Sequence, residues 1–180
     1  MILRRFTAAD AGALVALHGD AAVMRHIDDG QPVPRSVVER ETLPGILREY
    51  DELPAGFGQF LAEAPDFVGW FALKPANSVG LDPADVELGY RLLPAVWGRG
   101  LATEGARLLV RRAFTELAVP RVVATTMAVN VGSRRVLEKA GLRHMETFFA
   151  HWPDPLPGAE HGDVVYALTS QEWFGGAPVV

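Results

Sequence analysis

The stretch Glu87-Leu-Gly-Tyr-Arg-Leu-Leu-Pro-Ala-Val-Trp-Gly-Arg-Gly-Leu-Ala-Thr-Glu104 limits what this chain can fold into more than any other part of it. Val86, Leu88, Tyr90 and Leu92 alternate with Glu87, Gly89 and Arg91, the period of a strand with one polar face. Past Gly98 and Gly100, Ala106, Leu109, Val110, Ala113, Phe114 and Leu117 recur at intervals of three and four, which predicts an amphipathic helix over residues 101–118. A strand therefore runs through a glycine turn directly into the N-terminus of a helix.

The first amides of a helix lack intrahelical acceptors and lie at the positive end of its dipole. Gly98 to Thr103 can thus offer several N–H donors to a pyrophosphate. The plainer reading is that Gly98 and Gly100 only permit a tight turn with positive φ. Two known phosphate loops do not match: Thr103 stands where a dinucleotide fingerprint has its third glycine, and the Gly-Lys-Ser/Thr ending of a P-loop is missing.

Around this unit the chain alternates strands and helices. Residues 1–7 read as a strand, Thr7 to Asp10 as a helix start whose buried period continues through Leu14, Leu17 and His18, and residues 21–27 as a short helix. Residues 34–50 predict a longer helix interrupted at Pro44. Residues 59–63 and 67–73 suit a hairpin, and residues 77–84 a loop. After a helix ended by Pro120 come a strand over 122–127, a helix over 130–140 stopped by Gly141, and a strand over 142–149. A Pro-rich loop over 151–162, a strand over 164–168 and a helical turn over 169–174 close the chain. With 180 residues, no repeat and no linker, one domain over 1–180 is expected.

Composition excludes several kinds of chemistry. There is no cysteine, which rules out disulfides, thiolate metal sites and a Cys nucleophile. The five histidines form neither an HExxH nor a ligand pair at helical spacing, so no metal is expected. A net charge of -5 argues against nucleic acid as the main partner and favours a cationic acceptor. No apolar run approaches the ~20 residues of a membrane span, and no secretory leader is recognisable, so no membrane partner and a cytoplasmic location are expected.

The segment Trp97-Gly-Arg-Gly-Leu-Ala102 resembles the acetyl-CoA pyrophosphate loop of the GNAT superfamily of N-acetyltransferases, Gln/Arg-x-x-Gly-x-Gly/Ala, with Trp97 in the Gln/Arg place. That substitution is itself similar to the branch that acetylates ribosomal-protein N-termini, the RimJ/RimL type. Asn130-Val-Gly-Ser-Arg-Arg-Val-Leu-Glu-Lys-Ala-Gly-Leu142 resembles the second signature of the same branch. Leu3-Arg-Arg-Phe-Thr-Ala-Ala-Asp10, Val23-Met-Arg-His-Ile27 and Asp163-Val-Val-Tyr-Ala-Leu-Thr169 with Trp173 resemble its opening and close.

The resemblance implies an α/β (α+β) fold of the GNAT type: a mixed, mostly antiparallel central sheet flanked by helices, splayed between the Glu87 and Val122 strands to admit acetyl-CoA. It implies direct acetyl transfer to a primary amine, either a protein N-terminus or a small amine. It also implies a homodimer. Cofactor contacts fall on Gly98, Arg99, Gly100, Leu101, Ala102 and Thr103, on the main chain of Leu92 and Leu93, and on Asn130, with Arg134 a further phosphate donor. Met24, His26 and Trp152 come from segments that line the acceptor side.

Transfer from a thioester to an amine needs an uncharged nucleophile, stabilisation of an oxyanion and a proton for the thiolate. Glu87, on the polar face of the strand feeding the turn, is the candidate base; the plain alternative pairs it with Arg91 on the same face. Leu137 stands where many GNAT enzymes place an acidic Tyr, so Ser133 is the candidate that serves the sulfur, with Tyr90 and Tyr166 in reserve. Asn130 and Ser133 equally suit an N-cap and a first-turn residue. The missing Tyr leaves open a non-catalytic acetyl-CoA-binding module, and an acyl-serine route stays open beside direct transfer.

Overall fold

In the computed structural model, which describes residues 1–76, 81–82, 84–151 and 153–176, seven strands form one sheet. They are β1 (Ile2–Arg5), β2 (Gly58–Glu63), β3 (Phe67–Pro75), β4 (Val86–Leu92), β5 (Arg121–Met127), β6 (Arg143–Phe148) and β7 (Asp163–Thr169). Their spatial order is β1-β2-β3-β4-β5-β7-β6, and within the described residues only β4 and β5 run parallel. This is the mixed, mostly antiparallel sheet that the sequence predicts.

The helices are α1 (Ala11–His18), α2 (Ala21–Met24), α3 (Arg35–Val37), α4 (Leu43–Glu52), α5 (Leu101–Thr115), α6 (Val131–Lys139) and α7 (Ser170–Gly175). α5 makes the crossover that parallel neighbours require. Adjacent β3 residues face opposite layers, as strand geometry demands. Phe71 packs beneath α5 with Leu88, Leu92, Ala106 and Leu109, whereas Trp70 and Leu61 pack beneath Leu14 and Leu17 of α1. The α5 layer comes very close: a Cβ on Gly105 would fall 2.1 Å from Cζ of Phe71.

The parallel register of β4 with β5 covers only Val86 with Val122 and Glu87 with Val123. At this closed end Asp85, buried to 4% exposure, takes a hydrogen bond from Nε of Arg121 at 2.8 Å and pairs with its Nη2 as well. Beyond Glu87 the two strands part, so the sheet opens as the resemblance implies.

Two expectations change. The helix expected to break at Pro44 runs on, because α3 passes through a π-helical turn, Val38–Thr42, into α4. That wider turn accommodates a ring that lacks an N–H and crowds the preceding turn. The helix expected to end at Pro120 ends at Thr115 instead: Ala118 takes φ +51°, and the Leu117 and Val119 amides bond back to the Arg112 and Ala113 carbonyls. The loop over 77–84 falls partly on positions outside the described residues.

Candidate active site

Alternation along β4 gives its two faces different work. Leu88, Tyr90 and Leu92 point to the α5 layer, and Glu87, Gly89 and Arg91 to the layer of α1 and α2. Where β4 and β5 separate, a cleft of about 420 Å³ opens, bounded by β4, β5, the start of α6, the glycine turn and the segment Ala22 to Ile27.

On the α5 side the Tyr90 hydroxyl donates to the Ser133 carbonyl at 3.1 Å and lies 2.9 Å from Ser133 Oγ. Burial pushes the phenol well above its ordinary range, against a smaller lowering by Ser133, so Tyr90 stays protonated. The ring of Phe71, 5.8 Å away, holds it from behind. Ser133 is fixed in turn by the Asn130 side chain, which caps α6 by accepting the Ser133 N–H at 3.2 Å. Asn130 and Ser133 both line the cleft, and fully buried Leu137 makes its wall apolar.

Tyr166 and Arg134 turn elsewhere. The Tyr166 hydroxyl donates to Glu138 at 2.8 Å and accepts from Arg134 Nε at 3.2 Å, while Arg134 also donates to the Ala128 carbonyl. Neither lines the cleft, and the two side chains hold each other beside it.

On the opposite face the Glu87 carboxylate accepts from Thr125 Oγ1 at 3.1 Å. The pair with Arg91 expected as the plain reading does not form. Arg91 instead lies over the Trp70 ring, 5.3 Å from its centroid, and 3.8 Å from Asp28. Trp70 is held by its own N–H, which donates to Nε2 of buried His18 at 3.2 Å. Burial, then the charge of Arg91, lowers the His18 pKa to about 4.

In the turn Gly98 and Gly100 take φ of +73° and +82°, which L side chains rarely adopt, and a Cβ at either would meet nothing within 4 Å. The first α5 amide with a main-chain acceptor is that of Glu104, on the Gly100 carbonyl. Among the described residues the Leu101, Ala102 and Thr103 amides have no acceptor and point out of the helix end. Trp97 donates its indole N–H to the Leu92 carbonyl at 2.8 Å, tying the turn back to the strand. The Leu93 amide is taken by the Val68 carbonyl, so by antiparallel alternation the main chain of Leu92 and Tyr90 faces the gap.

Of the residues singled out in the sequence, Glu87, Leu92, Gly98, Ala102, Asn130 and Ser133 line one cleft. Gly100, Leu101 and Thr103 stand at the adjoining helix start, Arg99 is exposed in the turn, and Leu93 lies behind the strand end. His26 lines the cleft with a buried Nδ1 that has no partner among the described residues, and burial lowers its pKa. Met24 is core, and Trp152 lies outside the described residues. Sequence reasoning missed Trp70, Thr125 and the Tyr90–Ser133 contact. For Tyr90 the signal existed, since an apolar-face residue near a strand end faces whatever opens when that strand parts from its neighbour.

Among the described residues no cluster of His, Asp or Glu could hold a metal ion, and no helix is long and apolar enough to cross a membrane.

The family model for the acetyltransferase (GNAT) domain matches residues 1–143. An Aspergillus fumigatus protein, FsC-acetyl coenzyme A-N(2)-transacetylase, is 43% identical over 124 residues, covering 66% of this chain and 53% of the relative. The probable N-acetyltransferase YjcK of Bacillus subtilis is 42% identical over 85 residues, 47% of this chain and 46% of the relative. The chain thus spans about half the length of these two relatives. Among solved structures, aminoglycoside acetyltransferase AAC(6')-Ib in complex with paromomycin and acetyl-CoA superposes with a TM-score of 0.76 at 21% identity, over 99% of this chain and 98% of that one, a likeness of fold.

Proposed function

The chain belongs to the acetyltransferase (GNAT) domain family, and from that premise we propose that it transfers the acetyl group of acetyl-CoA directly to a primary amine. One observation carries the reading: the cleft between β4 and β5 passes between the two layers, with a carboxylate on one face and a hydroxyl pair on the other. Donor and acceptor then approach from opposite sides of the sheet and meet at its gap.

The free amides of Leu101, Ala102 and Thr103, with the glycines before them, fit a pyrophosphate, and the main chain of Tyr90 and Leu92 fits the amides of a pantetheine arm. Glu87, oriented by Thr125, accepts the proton that a protonated amine must lose, directly or through water. The new N–C bond forms as the C–S bond breaks; the departing sulfur takes a proton from the Tyr90–Ser133 pair, and the second proton shed by the acylated nitrogen restores that pair through solvent. Tyr90 supplies the O–H donor that Leu137 cannot, kept protonated by burial, which supports catalysis over a non-catalytic binding module. Acetyl-CoA is held inside cells, so a cytoplasmic location goes with this reading.

The acceptor is a small amine or a protein N-terminus, the latter in keeping with the RimJ/RimL resemblance. Thiol release from acetyl-CoA against amino acids, polyamines, aminoglycosides and peptides tests the proposal. Amine-dependent release is expected; acetyl-CoA binding in a calorimeter without release from any amine would overturn transfer in favour of binding alone.

A further inference from the structure

The acceptor side of the cleft holds a cation that the acetyl-transfer chemistry does not use. Arg91 lines the cleft on the same β4 face as Glu87, and its side chain is only 18% exposed. Among the described residues none of its N–H groups has an oxygen acceptor within hydrogen-bonding distance. Its neighbours are the Trp70 face, the Met24 sulfur at 3.8 Å and one Asp28 oxygen at 3.8 Å. A guanidinium so far removed from water ordinarily has a carboxylate or phosphate in its fork. Burial lowers its pKa, in keeping with a desolvated and under-partnered charge.

Two further observations point the same way. Asp28 is 71% exposed and approaches from a turn at φ +51°, so a carboxylate already stands loosely at the mouth of this fork and can give way to another. Gly89 lies between Glu87 and Arg91 on their shared face and adds no side chain of its own, so the edge of the Trp70 ring, 3.6 Å from where its Cβ would stand, forms the floor there. Arg25 lines the same wall, so the acceptor side presents two arginines, Glu87 and a His26 whose basicity burial lowers. With Asp28 at the mouth the two arginines and two carboxylates balance, so any preference for an acid comes from the unfilled fork of Arg91 and not from the net charge of the wall.

We propose that the acceptor is a primary amine that also carries a carboxylate, bound by Arg91 on its Trp70 platform while the amine faces Glu87. The inference rests on the acetyl-transfer reading for the amine but on Arg91 alone for the acid. A free amino acid and an acidic group on a peptide share this chemistry, and both belong in the test. Polyamines and aminoglycosides, which lack the acid, are predicted poor acceptors.

The experiment compares the twenty free amino acids, their carboxamides, N-terminally free peptides with and without an acidic residue, putrescine and kanamycin, by thiol release and by thermal shift with CoA present. Wild type is set beside Arg91→Met, which keeps the packing on Trp70, and Arg91→Lys. An acid-bearing acceptor is expected to exceed its carboxamide by roughly 10- to 100-fold in kcat/KM, the worth of a hydrogen bond to a charged group. Arg91→Met should bring the two together without changing the affinity for acetyl-CoA, and Arg91→Lys should restore part of the difference. Equal turnover of acid and amide, preference for putrescine or kanamycin, or an equal loss on both in Arg91→Met would overturn the carboxylate site while leaving acetyl transfer standing. Stabilisation by amino acids but not carboxamides, abolished in Arg91→Met and without thiol release, would uphold the site and overturn transfer. Neither release nor a shift with any acid would overturn both.

Discussion

The Tyr90 phenol stands 2.9 Å from the Ser133 hydroxyl, and each is anchored by a different element, Tyr90 by the β4 face over Phe71 and Ser133 by the Asn130 cap of α6. A Ser hydroxyl alone is a poor acid; beside a protonated phenol it becomes one end of a short relay. Tyr90→Phe and Ser133→Ala should each lower kcat by about 10²-fold, the lower end of what general acid catalysis contributes. Because the two act as one unit, the double variant should be little worse than the worse single one. Additive losses in single-turnover rates would show that they work separately.

The alternation over residues 86–92 and the three-four period over 101–117 are legible because burial imposes both. They report which side of an element is covered, not what lies at its edge. Tyr90 reads as core on that basis, and in most sheets it would be; here β5 leaves β4 after Glu87, and the same face looks into a cleft. The Arg91–Trp70–His18 stack joins residues far apart in the chain, and no local period connects them. Pro44 misled for a related reason: a proline predicts a break from local sterics, while the π turn before it is held by Val38 and Leu43 in the α1 layer.

Glu87 keeps its place through Thr125, and Glu87→Gln retains an oxygen for that hydroxyl to bond. The substitution should leave folding and acetyl-CoA affinity intact and reduce kcat at neutral pH by about 10²- to 10⁴-fold. An amine deprotonates unaided as pH approaches its own pKa, about 8 for a peptide α-amine and about 10 for an alkylamine, so the variant should recover rate with rising pH more steeply than wild type. A kcat unchanged at neutral pH would remove Glu87 as base.

Gly105 and Gly12 offer a matched contrast. Alanine suits a helix better than glycine by about 1 kcal/mol, and a Cβ at Gly12 in α1 would meet nothing within 4 Å, so Gly12→Ala should be neutral or stabilising. At Gly105 the added Cβ would fall 2.1 Å from a Phe71 ring that is fully buried and cannot swing aside. Overpacking should win there, costing about 1–3 kcal/mol. Because Phe71 backs Tyr90, Gly105→Ala should also lower kcat, whereas a mere loss of stability would leave the rate of the folded fraction unchanged. Thermal melts and activity per folded molecule separate the two.

His18 makes stability depend on pH. Its pKa falls from 6.5 in the unfolded chain to about 4 in the fold, since burial and then Arg91 disfavour the imidazolium. Between those values the unfolded chain binds more protons than the native one, so stability rises with pH across the window and is lost as pH falls through it. With His18 only 4% exposed, the loss from pH 7 to pH 4 should be on the order of 3 kcal/mol, set by a shift of about 2.5 units at 1.36 kcal/mol each. His18→Gln, which can still accept the Trp70 N–H, should flatten this dependence in urea titrations across pH 4–7. An unchanged slope would place the acid sensitivity on other groups, whereas a flattened one with arginine-dependent acceptor discrimination intact would show that His18 serves the Trp70 platform as an acceptor and not as a charge.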